Sequence, residues 1–295
     1  MFPTAARGLS HPDDFDPPDT GFRVGIGVYL AAILTGTALV AGVALNASSG
    51  ILVATVPTTL SIGLVVGSAL AARANGLPER TGCSGRLTAA WFVPAVAFAG
   101  VAFAAVFLPS IPTAIALASG LATVAALFGA AVVATMARTR YVAAITPDDP
   151  VAAWQWRSPN RALCLYALAI CYFALGFVTR EISYLTVQWF LFGLLFLAQG
   201  LEVSGRLDRL DVDLGGARTA RELRIHEAGL VAAGPTGTRL VPWTDIGSVS
   251  LTDERLVLER SWLDLRCDRS VIDDPEGVRA AIEQRRNRAA GLDCA

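Results

Sequence analysis

The chain contains no lysine, so all 24 basic residues are arginine. It has only two histidines, His11 and His226, far apart in sequence. Its five cysteines, Cys83, Cys164, Cys171, Cys267 and Cys294, form no C-x-x-C pair. A zinc site needs clustered thiolate or imidazole ligands, so no metal centre is expected and no cofactor is implied. Also missing are an H-E-x-x-H helix, a G-x-S-x-G elbow, a Walker loop and any carboxylate pair at helical spacing inside an apolar run. No catalytic residues are therefore assigned, and an enzyme is not expected. His226 follows Ile225 in a predicted strand and has no partner nearby in sequence. It reads as a surface histidine rather than a general base. The formal net charge is −1, which argues against nucleic acid as a partner.

Long apolar runs are present in quantity. Hydrophobic residues make up 54% of the 295-residue chain, and the mean hydropathy is +0.51. Residues 1–21 are polar and rich in Asp, Pro and Gly ("HPDDFDPPDT"). They cannot bury a core and read as a disordered acidic tail. The region 22–206 then holds six apolar segments, 24–45, 51–72, 88–108, 113–137, 162–179 and 184–202. Most have the 18 or more residues that cross about 30 Å of hydrocarbon at ~1.5 Å per residue. The fold class expected is an all-α six-helix transmembrane bundle followed by a small cytoplasmic antiparallel β-barrel or sandwich with a C-terminal helix.

The connections set the orientation. "NASSG" (46–50), "PSIP" (109–112) and "REIS" (180–183) are short, whereas 73–86 and 138–161 are longer. The longer pair carries Arg73, Arg80, Arg86, Arg138, Arg140, Arg157 and Arg161, and the short ones only Arg180. Arginine near span ends is retained on the cytoplasmic side, so both termini and both long loops are expected there. The expected location is the cell (plasma) membrane, as a multi-pass protein. Tyr29, Trp91, Tyr166 and Trp189 lie where interface anchors lie. Asn46-Ala47-Ser48 has the form of a glycosylation acceptor, but at a span boundary it reads as a helix-ending turn. Cys164 and Cys171 sit in an apolar run and read as small core residues. Cys83 and Cys267 fall on the cytoplasmic side, where structural disulfides are not expected.

Polar groups inside the spans are mild. Thr35, Thr37, Thr55, Thr58, Thr59, Ser61, Ser119, Thr123, Gln188 and Gln199 can return hydrogen bonds to their own or a neighbouring helix. Gly63, Gly67 and Ala71, and similarly Ala116, Gly120 and Thr123, repeat at a spacing that lets helices approach closely. That spacing suits packing within the bundle or a homo-oligomer. Pro57 and Pro94 fall inside spans and read as kinks.

From residue 207 the texture changes. Residues 207–219 read as a linker or first strand. "RELRIHEAGLVAAG" puts Leu223 and Ile225 on one strand face, with a turn at Glu227-Ala228-Gly229. "GPTG" (234–237) is a hairpin turn, and Pro242 in "RLVPW" marks a strand end. "IGSVSL" and "RLVLER" flank "TDE". "WLDLRC" alternates, with Leu263, Leu265 and Cys267 on one face. In "DDPEGVRAAIEQRRNRAAG", Asp274 caps a helix with Pro275 at its first position. If Asp273 is the cap instead, Glu276 completes a capping box. Val278, Ala281 and Ile282 form an apolar stripe, and Gly291 ends the helix.

This succession, "VPWTDIGSVSLTDERLVL" and then "DDPEGVRAAIEQR", resembles the prokaryotic PH-like domains, in particular the membrane-tethered YcxB-type proteins. The resemblance covers residues 220–291, rests on Trp243 and Ile246 as family-marker core positions, and includes none of the spans. The arginine-only, aspartate-rich usage in turn resembles that of haloarchaeal proteins, and codon bias explains it without bearing on function. The PH-like resemblance implies binding or scaffolding without catalysis. Head-group binding needs a basic face, and Arg279, Arg285, Arg286 and Arg288 on the last helix are the candidate lipid or partner contacts. A solvated face near a helix C-terminus explains the same arginines. The partners implied are membrane lipids and a protein at the cytoplasmic domain. The alternative function is a transporter or channel regulated by that module.

Overall fold

The computed structural model describes residues 17–108, 110–156, 159–178, 184–203, 221–234, 237–260 and 264–292. The tail up to residue 16, Arg157, Arg180, Glu181, Arg206, the 207–219 segment and Leu263 lie outside them. So do the side chains of Arg161, Cys164 and Gln188. Internal contacts divide the chain into two compact units. One comprises residues 1–149 with 226–229 and 236–242; the other comprises 150–225, 230–235 and 243–295.

The first unit is built on helices. They are α1 (Thr20–Ala44), α2 (Ser49–Ala72), α3 (Leu77–Cys83), α4 (Gly85–Ala90), α5 (Val93–Phe107) and α6 (Thr113–Ile145). Asp19 starts α1 by accepting a hydrogen bond from the Phe22 amide at 2.7 Å, and Pro18 beside it is buried. The end of the acidic tail is thus a helix cap. The α1–α2 turn closes with Asn46 at φ 55°, the left-handed conformation that asparagine tolerates at helix ends. The triplet at 46–48 is a helix-ending turn, as expected.

Helix α1 packs against α2 and α6, while α3 and α5 pack against α6. Phe22, Ile26, Tyr29, Ala71, Ala130, Val133 and Ala137 form the buried cluster. Gly63, Gly67 and Ala71 are all buried along α2. A Cβ at Gly67 would lie 2.8 Å from the Gly27 Cα, and one at Gly63 would overlap the Ala31 backbone. Close approach through small residues therefore operates within the bundle. At Gly120 a Cβ meets open space, so the Ala116–Gly120–Thr123 pattern does not form such a contact. On α6 the buried small face is Ser119, Ala122, Ala126, Gly129 and Ala130 instead.

Three expectations are corrected here. The third apolar segment is not one helix: it breaks at Trp91 and Phe92, and Pro94 sits in the first turn of α5. Proline is at home there because that N–H has no helical partner in any case. Tyr29 is an interior residue, not an interface anchor. Its ring meets Trp91 edge-on at 5.5 Å, and its hydroxyl donates to the Trp91 carbonyl. The loop 73–86 contains α3, and the loop after residue 137 begins as eight more helical residues of α6.

The threonines behave as read. Thr37, Thr55, Thr58 and Thr123 each donate to the carbonyl four residues back. Thr35 and Thr59 pair across α1 and α2 at 2.8 Å.

The second unit contains β1 (Ala153–Trp156), then the helices α7 (Pro159–Val178) and α8 (Tyr184–Val203). The two helices pack by setting rings over glycines. Phe190 covers Gly176, Phe173 covers Gly193, and Tyr166 covers Gly200. Tyr172 meets Trp189, Phe192 and Phe196 at 5.2–5.7 Å. Tyr166 and Trp189 are thereby engaged in helix–helix contact. Cys171 is exposed rather than a core residue.

The strands that follow are β2 (Arg221–Ile225), β3 (Gly229–Gly234), β4 (Gly237–Pro242), β5 (Ile246–Leu251), β6 (Arg255–Arg260) and β7 (Leu265–Asp268), before α9 (Pro275–Leu292). The sheets run β1-β2-β3-β4 and β5-β6-β7. β2 pairs antiparallel with β1 and β3, and β6 with β5 and β7. The sheet therefore recruits a strand from outside 220–291. β1 lies in the sequence before the α7–α8 hairpin.

Candidate functional site

Strands β6 and β7 bury one face each, whereas β3 is buried on both faces at Leu230, Val231 and Ala232. Leu223, Ile225, Leu230, Leu256, Leu258 and Ile282 are fully buried, the last of them on α9. Trp243 is 4% exposed in the 3-10 turn Trp243–Asp245, and Ile246 is 3% exposed at the start of β5. Both are core residues. Asp274 caps α9, accepting from the Gly277 amide at 2.9 Å, so the cap is Asp274 and not Asp273. Val278 and Ile282 face inward as the stripe requires.

Trp154 on β1 is 5% exposed and lies beside Cys267 of β7. The Trp156 indole donates to the Arg266 carbonyl at 3.1 Å. One short strand thus anchors two aromatic side chains among residues more than a hundred positions later. Burial pushes the Cys267 thiol up to about 11, although the Trp154 side chain works in the opposite direction.

The four arginines of α9 do not form one free basic patch. Arg279 pairs with Glu283 at 2.8 Å, and Arg286 donates to the Gly247 carbonyl at 2.9 Å. Arg285 is half-buried, and Arg288 is exposed.

A second grouping lies within the first unit, where the end of α6 meets β4 and the 226–229 turn. Gly237, at φ +116°, brings β4 against the helix. A Cβ there would sit 2.7 Å from Thr135 Cγ2 and 2.8 Å from Thr139 Oγ1. Only glycine combines that φ with that approach. The Thr238 amide donates to Thr139 Oγ1 at 3.2 Å. Next along the strand, exposed Arg239 lies close enough for its charge to act on Arg138 of α6. The Thr238 hydroxyl is buried without a hydrogen-bond partner.

Beyond α6, Asp148 accepts from the Glu227 amide at 2.9 Å, and its carboxylate lies 3.4 Å from His226 Nδ1. His226 is 6% exposed. It is a buried histidine facing a carboxylate, not the surface residue its sequence context suggests, because its neighbour comes from a distant segment. On the opposite flank of α6, Arg140 bridges Glu79 of α3 and Asp19 at the start of α1, both at 2.9 Å. The Phe22 amide and Arg140 hold the Asp19 carboxyl below its ordinary range despite partial burial. Among the described residues no three His, Cys, Asp or Glu side chains come together as metal ligands would.

The resemblance implies an antiparallel barrel or sandwich with a C-terminal helix; what is present is a four-stranded and a three-stranded sheet followed by α9, with Trp243 and Ile246 buried. Residues 221–288 match the family model of the bacterial PH domain. The match begins at β2, so β1 and the α7–α8 hairpin precede the PH domain in sequence although β1 completes its sheet. It ends within α9 and includes none of the apolar helices. No curated protein and no solved structure matches the chain.

Nothing in the sequence alone singles out Asp148, Trp154, Trp156 or Arg239. The available signal was "AWQW", alternating between buried and open positions inside a polar loop. Four residues are too few for periodicity to declare a strand.

Proposed function

We propose that the chain is a six-span integral membrane protein of the cell membrane. Its cytoplasmic PH domain acts as a binding or scaffold module and performs no chemistry of its own. The observation that carries the membrane reading is the exposure of large apolar side chains along helices of spanning length. Thr20–Ala44, Ser49–Ala72 and Thr113–Ile145 are long and apolar enough to cross a bilayer, and Val93–Ala105 and Trp189–Leu201 are shorter apolar helices. On α6, Leu121 is 71% and Phe128 70% exposed. Apolar surface of that extent calls for lipid or a partner. The arginines of the longer connections support cytoplasmic termini. The match to the PH domain supports binding rather than catalysis. Among the described residues, the buried polar side chains of the apolar segments, Thr35, Thr88 and Ser119, are neutral, which favours a packed bundle over an ion pathway.

The test is crosslinking in cells followed by purification of the tagged chain, with and without residues 210–295. Loss of the crosslinked partners on truncation, with the spans still carbonate-resistant, is the expected result. Recovery of the same partners by the truncated chain would overturn the scaffold reading.

A further inference from the structure

The exposed side of α6 is one continuous stripe. Leu117, Leu121, Val124 and Phe128 are 66–71% exposed. Ala131, Thr135 and Arg138 continue it at alternating steps of four and three, the spacing of a single helix face. From Leu117 to Arg138 the helix rises by roughly 30 Å, the thickness of the hydrocarbon core. The stripe that faces acyl chains therefore ends at head-group depth on a guanidinium.

At that point β4 crosses the same face, with Gly237 against Thr135 and Thr139 and the Thr238 amide bonded to Thr139. This brings Arg239 near enough to Arg138 for their charges to act on each other. Among the described residues no carboxylate pairs with either arginine, although Arg140, two positions on, takes both Asp19 and Glu79. Two neighbouring cations without a counter-ion repel each other, and the fold holds them together through glycine and threonine contacts. An anion between them removes that repulsion, and guanidinium groups match phosphate geometry.

We propose that Arg138 and Arg239 form a composite site for the phosphate of an anionic membrane phospholipid, whose acyl chains lie along the Leu121–Phe128 stripe. A doubly cationic pair favours a net-negative head-group over a zwitterionic one, because a choline or ethanolamine cation is repelled there. The site uses none of the α9 arginines. It rests on the reading that α6 spans the bilayer.

The test uses the full chain reconstituted in vesicles of phosphatidylcholine with an equal part of phosphatidylglycerol, or of phosphatidylcholine alone. Native mass spectrometry then reads which lipids stay bound. Carbonate-resistant insertion of the wild-type chain checks the spanning reading first. If it fails, that reading fails. If it holds, wild type retains phosphatidylglycerol in preference to phosphatidylcholine. Arg138→Gln and Arg239→Gln each lower that preference about fivefold. Arg138→Lys keeps most of it, and Arg288→Gln leaves it unchanged. Arg239 lies on an exposed strand position, so Arg239→Gln remains informative even where a helix substitution impairs insertion. An unchanged preference in Arg239→Gln overturns the proposal. Equal displacement of the lipid by millimolar inorganic phosphate would assign the pair to a soluble anion and overturn the lipid assignment.

Discussion

Asp274 and Cys267 show how single side chains set the stability of the PH domain. Asp274 accepts the Gly277 amide, with Pro275 pre-set for the first helical turn. Asp274→Ala removes that acceptor. It is expected to cost about 1 kcal/mol, seen as an earlier denaturation midpoint, whereas Asp274→Ser should recover most of it. Cys267 acts through charge. Its folded thiol is raised to about 11 from an ordinary value of 9.0. The folded state thus favours the neutral thiol, and the associated stability is intact below pH ~9 and lost as pH rises through ~11. Alkaline unfolding should steepen in that window, and Cys267→Ala should flatten it. Both residues were legible in sequence, because a cap and a strand alternation are local signals. His226 was not. Its burial depends on Asp148, and no local pattern announces a neighbour from another segment. The α9 arginines were legible as a charge cluster, but their partners, Glu283 and the Gly247 carbonyl, decide which of them are committed.

Helices and strands were readable to the extent that their partners are close in sequence. The β2–β3 turn and the β5–β6 hairpin fell where the turn residues put them. β1 did not, because it is four residues long and its partner β2 follows only after two helices. Trp154 tests whether that strand matters to the PH domain. Replacing a buried tryptophan by alanine costs about 3–5 kcal/mol. Trp154→Ala in the full chain should therefore speed limited proteolysis within residues 221–288, where the substitution itself does not lie. Cleavage at the wild-type rate would mean that β1 is dispensable. The apolar helices make a similar contrast. Gly67 and Gly120 occupy equivalent places in two small-residue repeats, but only Gly67 meets a neighbouring helix backbone. Gly67→Leu should lower the melting temperature of the purified protein through an overpacking cost of about 1–3 kcal/mol. Gly120→Leu should leave it near wild type. Sequence spacing could not separate them, since it gives the face and not what lies opposite.

At the scale of the whole molecule, α6 is the element that exceeds its expected role. Its 33 residues extend about 50 Å, against roughly 30 Å of hydrocarbon. The apolar sequence stops at Ala137, and the helix continues to Ile145 with Arg138, Arg140 and Tyr141. That extension is what β4 contacts, so a strand that belongs to the PH domain by sequence belongs to the helical unit by contact. Disturbing α6 should accordingly loosen β4 in particular. Thr139→Val keeps the shape of the side chain and removes the acceptor for the Thr238 amide. Leaving a part-buried N–H unsatisfied costs about 1–3 kcal/mol. A cost of that size raises the open population of the strand by roughly fivefold to 150-fold. Hydrogen exchange of the full chain should therefore quicken over residues 238–241 in Thr139→Val, with β5, β6 and β7 unchanged. If all strands quickened together, the substitution would be unfolding the PH domain as a whole. If none did, the Thr139 contact would carry no part of the strand's stability.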